Sequence, residues 1–191
     1  MSRRELTKAA NRGAILVAAR ETFSELGYDA AGVRDIVRRT PLASGTFYNY
    51  FPDKPAVFRA LVEEIAAEAR RRVRAARLAA PTADRFVEDS FRAFFGFIAS
   101  DPETFGFLAR NLGTIRARFG EAVLPAGLGE LREDLSAAIA DGGLAPVDVD
   151  YCAHAMVAVG LELGGRLLAR EPPDVDGATD FATTLFAGVL R

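Results

Sequence analysis

The side chains best suited to binding chemistry lie in one short stretch, residues 44–54, which reads SGTFYNYFPDK. Hydroxyl and amide side chains alternate there with aromatic rings, and no charge occurs before Asp53. Serine, asparagine and tyrosine can donate hydrogen bonds to phosphate oxygens without carrying a charge. The small polar residues among them fit a surface that enters a DNA groove. The stretch therefore predicts contacts with nucleic acid.

The aromatic residues of this stretch divide into two faces if it is helical. Phe47 and Phe51 are four residues apart, and so are Ser44 and Tyr48. Residues four apart lie on the same side of a helix, so the two pairs occupy different faces. We expect the phenylalanines to anchor the helix in a small core with Phe23, Ile36 and Leu42.

The elements that must position this stretch are helices separated by clear stop signals. Apolar residues at helical spacing predict a first helix over 7–26 that Gly27 ends. A second short helix over 33–39 must end before Pro41, and Pro52 closes the third. Asp53 is a suitable N-cap for a long fourth helix that nothing interrupts before Pro81. Two short helices after a longer one have the proportions of a helix-turn-helix, whose second helix enters the major groove.

The remaining sequence also predicts helices and no strand. Helical patterns cover about 83–99, 102–111, 131–139, 150–170 and 181–190, with a break expected at 124–129 because that stretch holds one proline and two glycines. The predicted fold class is all-α, with about nine helices. A three-helix DNA-binding head over 1–53 is expected to join, through the long fourth helix, an effector-binding and dimerisation body over 54–191.

Residues 13–62 resemble the tetracycline-repressor (TetR) family of bacterial transcription regulators. The resemblance rests on ILVAARETFSELGYDAAGVRDIV followed by GTFYNYFPDKPAVFRALV. It implies a homodimer whose paired heads occupy successive major grooves of a palindromic operator. It also implies a body that binds a small effector and thereby lowers the affinity for DNA, with repression as the family's usual outcome.

The resemblance also assigns roles by position. Tyr48 and Lys54 would contact phosphates, with the amides at the start of the fourth helix adding to the phosphate site. The other implied DNA-binding residues are Ser44, Thr46 and Asn49 near the bases, Tyr50 beside the backbone, and Arg34 in support. Ordinary packing is the alternative for both tyrosines.

Three positions depart from the family pattern. Ala31-Gly32 stands where a hydroxyl residue usually opens the second helix, and Ala43 replaces a capping serine, so Ser44 is a candidate cap instead. Pro41 occupies a turn position that is usually glycine. Because proline fixes φ near −65°, the turn must be built without a positive φ at that residue.

Charge is distributed unevenly along the chain. Residues 1–60 carry ten Lys and Arg against six Asp and Glu, a formal charge of +4, whereas residues 61–191 carry fourteen against twenty, or −6. A basic head on an acidic body indicates that the head meets a polyanion. Chance is the alternative explanation for a difference of this size. The run Arg70–Arg72, with Arg74 and Arg77, is interpreted as a solvated helix face rather than a second DNA contact.

Targeting signals are not expected. The first twenty residues lack the apolar segment of a secretory signal, and no run of 18 apolar residues predicts a membrane span. A single cysteine, Cys152, excludes an internal disulfide and fits a reducing cytosol. We therefore expect a cytoplasmic protein without a membrane partner.

The body offers candidate residues for a small hydrophobic effector and for a dimer interface. The expected pocket residues are Phe91, Phe94, Phe95, Phe107, Asn111, His154 and Glu162, with core packing as the alternative for each phenylalanine and for the histidine. The expected interface residues are Gly160, Gly164, Phe181, Leu185 and Phe186, with burial inside one subunit as the alternative.

Two other classes of function compete with a ligand-responsive regulator. An enzyme would need catalytic motifs, and the sequence contains no GxxxxGK, HExxH, GxSxG or dinucleotide fingerprint. One histidine and one cysteine leave few nucleophile–base pairs, so no cofactor, metal or catalytic residue is expected. A helical interaction or ligand-binding protein without operator-specific DNA binding is the second alternative.

Overall fold

The computed structural model describes residues 2–190, and it describes their side chains except at residues 83, 84, 116, 119–125 and 168. Over that range the chain is helical and contains no strand, which confirms the predicted all-α class. The helices are α1 (Arg3–Ala30), α2 (Val33–Arg38), α3 (Ser44–Phe47), α4 (Lys54–Leu78), α5 (Ala83–Ser100), α6 (Pro102–Ala140), α7 (Val149–Leu168) and α8 (Val175–Leu190).

Helix α1 begins four residues earlier than expected and contains the predicted stop. The Ser2 side chain accepts the Glu5 backbone N–H at 3.3 Å, and the Glu5 carboxylate accepts the Ser2 N–H, which makes a capping box. Gly27 interrupts the helix with φ 77° and ψ 165°, a conformation that favours glycine. Counting the short turn after Gly27 separately gives the nine helices expected within the described range.

Aspartates begin two of the later helices. Asp53 Oδ1 accepts the Ala56 N–H at 2.7 Å at the start of α4, and Asp148 Oδ1 accepts the Tyr151 N–H at 3.0 Å at the start of α7. Each bond satisfies an amide that the first helical turn leaves unpaired. The Asp53 cap agrees with the sequence prediction.

Helix α6 corrects one prediction. The backbone is helical through residues 124–129, where a break was expected, so two predicted helices are one helix of 39 residues. Proline and glycine lower helix propensity, but tertiary packing regularly outweighs propensity. Gly127 shows such packing, because a Cβ built there would lie 3.2 Å from Cδ of Arg70. A small residue at this position admits the arginine side chain.

The chain divides into two compact units. One consists of Met1–Ile65 and Glu103–Gly120, and the other of Ala66–Pro102 and Glu121–Arg191. Aromatic rings form the centre of the first unit: Phe23 packs edge-on to Phe58 at 5.0 Å, and Phe107 lies 5.4 Å from Phe58. These units divide α4 and α6, whereas the sequence predicts a boundary at residue 53.

The second unit has α5 packed against α7 and α8. The Phe91 ring stacks on Phe95 at 5.7 Å and on Phe186 at 5.6 Å. Gly160 lies against the Phe94 ring, and an added Cβ would come within 3.3 Å of it. The core of this unit is therefore aromatic, and the glycine permits close helix approach inside it.

One arginine of the predicted solvated run is buried. Arg77 and Asp134 have side chains only 5% and 6% exposed, and Arg77 Nε donates to Asp134 Oδ2 at 2.9 Å. Arg74 Nη2 lies 3.4 Å from the other carboxylate oxygen. The prediction of a solvated face is thus wrong at Arg77, because the Asp134 carboxylate on α6 pairs with it.

Candidate nucleic-acid interface

Helix α3 and the turn after it, residues 44–51, present the two faces that the sequence predicts, although the helix itself ends at Phe47. Phe47 and Phe51 are buried, whereas Ser44, Asn49 and Tyr48 are exposed, Tyr48 to 58%. Phe47 and Tyr48 rings meet edge to face at 5.3 Å. The buried rings fix the helix, so the polar side chains are held outward together.

The two tyrosines of this segment have different surroundings. Tyr50 is half-buried, and its hydroxyl accepts a hydrogen bond from Asn11 Nδ2 at 3.2 Å. Tyr48 makes no side-chain hydrogen bond among the described residues. The Tyr48 hydroxyl can therefore bind an external acceptor, and Asn11, which the sequence did not single out, positions Tyr50.

The turn between α2 and α3 accommodates Pro41 through the residue before it. The Thr40 hydroxyl donates to the Val37 carbonyl at 2.9 Å and accepts the Leu42 N–H at 3.2 Å. Within the described residues only Gly27 and Gly142 have positive φ. The turn thus needs no left-handed residue. A threonine directly before a proline is the sequence signal for such a turn, since the threonine hydroxyl can form these local hydrogen bonds.

The missing caps of α2 and α3 are only partly replaced. Gly32 has no side chain to cap α2, but the Asp35 carboxylate accepts the Gly32 N–H at 2.9 Å. At α3 the N-cap is Ala43, and Ser44 is the first helical residue rather than the cap. The Ser44 hydroxyl is therefore not used by the helix end.

Lys54 is occupied by backbone carbonyls. Its ammonium donates to Tyr28 O at 2.8 Å and Ala31 O at 2.9 Å, with Asp29 O at 3.5 Å. The same group lies 4.5 Å from the centre of the Tyr28 ring. Helix α1 has no basic residue in its last turn, so Lys54 supplies the cation that a helix C-terminus favours. It joins the end of α1 to the start of α4.

An ion pair between Arg39 and Glu25 fixes the end of α2. Arg39 donates to both carboxylate oxygens of Glu25, at 2.9 Å and 2.5 Å. This hydrogen bonding lowers the pKa of the Glu25 carboxyl and raises that of Arg39. Arg34, the predicted supporting residue, and Arg38 are exposed on α2. Arg34 and Arg38 are therefore at the surface, while Arg39 pairs with Glu25 and links the end of α2 to α1.

Two of the predicted effector residues belong to the core of the first compact unit. Phe107 is fully buried beside Phe23 and Phe58. Asn111 is also buried: its Oδ1 accepts the Tyr28 N–H at 2.8 Å, and its Nδ2 donates to the carbonyls of Phe23 at 3.2 Å and Phe107 at 2.8 Å. The amide thus satisfies backbone groups on both sides of the break at Gly27.

The other predicted effector residues lie in the second unit, in two different settings. Phe91 and Phe95 are buried and Phe94 is half-buried. His154 and Glu162 are instead surface residues, with side chains 52% and 72% exposed. The two polar residues share a face of α7, as their spacing predicts, but that face is the outer one. The structure does not bring them together with the phenylalanines.

The predicted interface residues also divide between core and surface. Gly160, Gly164 and Phe186 are buried, whereas Phe181 and Leu185 are exposed on α8. Four of the nine exposed large hydrophobic side chains in the described part of the chain lie on α7 and α8: Tyr151, Phe181, Leu185 and Val189. An apolar surface of this kind is typical of an interaction site.

The described residues also form a surface recess. A recess of about 460 Å³ lies between the end of α6 and the end of α8, lined by Ile139, Gly142, Gly143, Leu144, Ala145, Pro146 and Leu190, and it includes none of the predicted effector residues. Among the described side chains, no cluster of three or more His, Cys, Asp or Glu could hold a metal. No helix within residues 2–190 is long and apolar enough to cross a bilayer.

Comparisons with known proteins match the head most strongly. The model of the family "Bacterial regulatory proteins, tetR family" matches residues 15–61. The uncharacterized HTH-type transcriptional regulator YvdT of Bacillus subtilis is 47% identical over 51 residues, which are 27% of this chain and 26% of that protein. The HTH-type transcriptional repressor Rv1474c of Mycobacterium tuberculosis is 43% identical over 56 residues, 29% of this chain and 30% of that one. The matched segments thus span less than a third of these relatives.

Solved structures with a similar fold cover most of the chain. The transcriptional regulator FadR from Bacillus subtilis, solved in complex with stearoyl-CoA, superposes with a TM-score of 0.79 at 21% identity, covering 90% of this chain and 95% of that one. At 21% identity this superposition shows a shared fold alone, whereas residues 15–61 resemble helix-turn-helix transcriptional regulators in sequence. The likeness to the tetR family of bacterial regulatory proteins thus rests on residues 15–61.

Proposed function

We propose that the chain is a ligand-responsive DNA-binding transcriptional regulator, acting as a repressor that a small hydrophobic effector releases from a palindromic operator. The observation that carries this proposal is the arrangement of α3 and the turn after it, where buried Phe47 and Phe51 hold Ser44, Tyr48 and Asn49 at the surface. This segment lies within the part of the chain that the family model matches. The relatives that share it are transcriptional regulators.

DNA contacts are assigned from exposure and free hydrogen-bonding groups. Tyr48 is proposed to donate to a phosphate, and Ser44, Thr46 and Asn49 to lie near base edges. Tyr50, held by Asn11, would lie beside the backbone, and Arg34 would support it. Lys54 is proposed as a positioning residue rather than a phosphate ligand, because carbonyl oxygens already accept its hydrogen bonds.

DNA binding is assigned to the head over 1–53, and effector binding and dimerisation are assigned to the body over 54–191, as the sequence predicts. We propose a homodimer in the cytoplasm, whose heads read two half-sites related by a two-fold axis. The exposed apolar residues of α7 and α8 support an interface there. The buried glycines and Phe186 act inside each subunit.

The effector is proposed to be a small hydrophobic molecule, aromatic or acyl. Two observations support this class: the phenylalanine-rich core of the second unit, and the stearoyl-CoA bound by FadR from Bacillus subtilis. The pocket would include Phe91, Phe94 and Phe95. His154 and Glu162 are left out because they are exposed. Effector and DNA binding would be reciprocally coupled through two states of the dimer.

Selection of bound fragments from random DNA tests the function directly. The proposal expects a palindromic motif, retained in a salt-dependent manner, because phosphate contacts release counterions. Long-chain acyl-CoA compounds are then added to the complex, with free CoA as the control. Release by the acyl form alone supports the effector class. Absence of any sequence enrichment would leave a helical ligand-binding protein as the better account.

A further inference from the structure

Two adjacent residues of α1 hold the turn that follows α3. Asn11 Nδ2 lies 3.2 Å from the Tyr50 hydroxyl oxygen, and the Arg12 guanidinium lies 5.5 Å from the centre of the Phe51 ring. Arg12 also pairs with Glu64 on α4. The turn is therefore held against α1 by one contact at each of its two aromatic residues, and only the contact at Tyr50 involves a hydroxyl.

The chemistry of the two groups sets the direction of the hydrogen bond between Asn11 and Tyr50. An amide nitrogen only donates, whereas a phenol oxygen donates one hydrogen and accepts at two lone pairs. The Tyr50 oxygen therefore accepts from Asn11. Its own hydrogen has no acceptor among the described residues, and it points away from the amide. A hydroxyl that accepts one hydrogen bond also donates a stronger one.

The surroundings of Tyr50 favour an anionic acceptor outside the chain. Tyr50 is half-buried, and the two residues before it, Tyr48 and Asn49, are exposed on the surface proposed to meet DNA. Residues 1–60 carry a formal charge of +4, which attracts a polyanion. A phosphate oxygen accepts hydrogen bonds from neutral side chains as well as from cations. The Tyr50 hydrogen is thus available to a phosphate of the DNA backbone.

Asn11 is not part of the segment that resembles known regulators. The family model matches residues 15–61, so it includes Tyr50 but not Asn11. Asn11 lies on α1, 39 residues before Tyr50, and its amide makes no other side-chain hydrogen bond within the described part of the chain. The side chain therefore has one evident task, which is to hold the Tyr50 hydroxyl.

We propose that Asn11 orients the Tyr50 hydroxyl so that its hydrogen is donated to a phosphate oxygen of bound DNA. Asn11 is a positioning residue, which acts through Tyr50 without touching the DNA. This inference rests on the proposed DNA binding and adds the direction of one contact. With the amide turned round, its carbonyl would accept the Tyr50 hydrogen, and only lone pairs of the phenol oxygen would face the phosphate.

Asn11→Asp tests the direction of this bond at nearly constant side-chain size. A carboxylate only accepts, so it takes the Tyr50 hydrogen away from the phosphate. Affinity for the selected DNA, measured by fluorescence anisotropy, should fall at least about tenfold, as for a lost hydrogen bond to a charged group. Ala10→Asp adds the same charge at an exposed neighbouring position, where salt screens it, and should cost less than about threefold. Equal affinities of these two variants would overturn the proposal.

A double-mutant cycle shows whether Asn11 acts through Tyr50. Asn11→Leu should lower DNA affinity by about threefold to tenfold in the wild-type chain. In the Tyr50→Phe background it should cost less than about twofold, because the hydroxyl that it positions is already absent. Circular dichroism verifies that each variant remains helical. Equal losses in both backgrounds are incompatible with the proposal, whereas a wild-type chain that selects no DNA sequence refutes the proposed function itself.

The side-chain amide reports the same bond without DNA. The chain has three asparagines, Asn11, Asn49 and Asn111, and no glutamine, so a nitrogen–proton correlation spectrum should contain three side-chain NH2 pairs. Asn11→Asp removes one pair and thereby assigns it. Tyr50→Phe should shift this pair and leave the Asn111 pair in place, because Asn111 donates to backbone carbonyls. An Asn11 pair that Tyr50→Phe does not shift would show that the amide does not donate to this hydroxyl.

Discussion

The ammonium group of Lys54 donates a hydrogen bond to the Tyr28 carbonyl at 2.8 Å and lies over the ring of the same tyrosine. Lys54 is the first residue of α4, and Tyr28 follows the break in α1, so this contact joins the end of α1 to the start of α4. A lysine expected to contact DNA is thus used to hold the segment that precedes α2.

Replacing Lys54 tests which role dominates. Lys54→Ala should lower the free energy of unfolding by about 1.5–3 kcal/mol, the range for hydrogen bonds to charged groups. DNA affinity should fall, but the slope of log K against log salt should stay unchanged if no phosphate contact is lost. Fluorescence anisotropy at several salt concentrations measures this. A slope reduced by about one would show that Lys54 contacts a phosphate. Lys8→Ala provides the control.

Tyr48 is expected to act through its hydroxyl alone. Because its side chain is exposed and its hydroxyl has no partner within the described chain, Tyr48→Phe should leave the melting temperature unchanged. Affinity for operator and non-operator DNA should both fall by about twofold to tenfold, the equivalent of about 0.5–1.5 kcal/mol for one hydrogen bond. Tyr151→Phe makes the same chemical change on α7 and should have no effect on DNA. Equal affinity of Tyr48→Phe and wild type would exclude the contact.

Asn111 is expected to be a stability residue rather than an effector ligand. Asn111→Leu leaves the Tyr28 N–H and the Phe23 carbonyl without their amide partner, and each buried unpaired group costs about 1–3 kcal/mol. Urea unfolding should therefore show a loss of at least about 2 kcal/mol. Leu112→Ala, at a half-buried neighbouring position, gives a reference for simple truncation. Loss of effector response without loss of stability would contradict this assignment.

The buried Arg77–Asp134 pair should depend on both partners. Asp134→Leu leaves a buried guanidinium without its carboxylate and should destabilise the chain by about 3–5 kcal/mol. The double variant Arg77→Met with Asp134→Leu should recover most of that loss, since an apolar pair of similar volume needs no desolvation of charge. Thermal unfolding of the four members of this cycle measures the coupling. If the stability losses of the two single variants add up to that of the double variant, the interaction between Arg77 and Asp134 contributes little to the free energy of unfolding.

Cys152 should be unreactive in the folded chain. Burial raises the pKa of its thiol above the ordinary value, so the reactive thiolate is scarce near neutral pH. Because the folded pKa is the higher one, deprotonation favours the unfolded chain, and this thiol's contribution to stability falls as the pH rises above the unfolded pKa. Alkylation by iodoacetamide should be slow in buffer and fast in denaturant. Equal rates in both conditions would show an accessible thiol.

Local sequence signals predicted most of the helices and the core of the head. Pro41 and Gly27 mark real interruptions, and Phe47 and Phe51 are buried as their spacing indicates, but the third helix ends at Phe47 rather than at Pro52. The break expected at 124–129 is absent, because packing outweighs local propensity there.

The candidate site residues were harder to place than the helices. Helix α7 is apolar around much of its circumference, so periodicity shows that His154 and Glu162 share a face without showing that this face is exposed. The burial of Arg77 depends on Asp134, 57 residues away, and no local pattern can indicate such a partner. The same holds for Asn111 and Lys54, whose hydrogen bonds go to distant backbone groups.

The hydroxyl of Thr40 has a consequence for how this turn can vary among related sequences. Because that hydroxyl binds Val37 and Leu42, the position of Pro41 is released from the need for a left-handed residue. Residues 40 and 41 should then be inherited as a pair: a homologue with proline at 41 should retain threonine or serine at 40, and one with glycine at 41 should tolerate any residue there. A search pattern that demands glycine in the turn would overlook every sequence with threonine or serine at 40 and proline at 41.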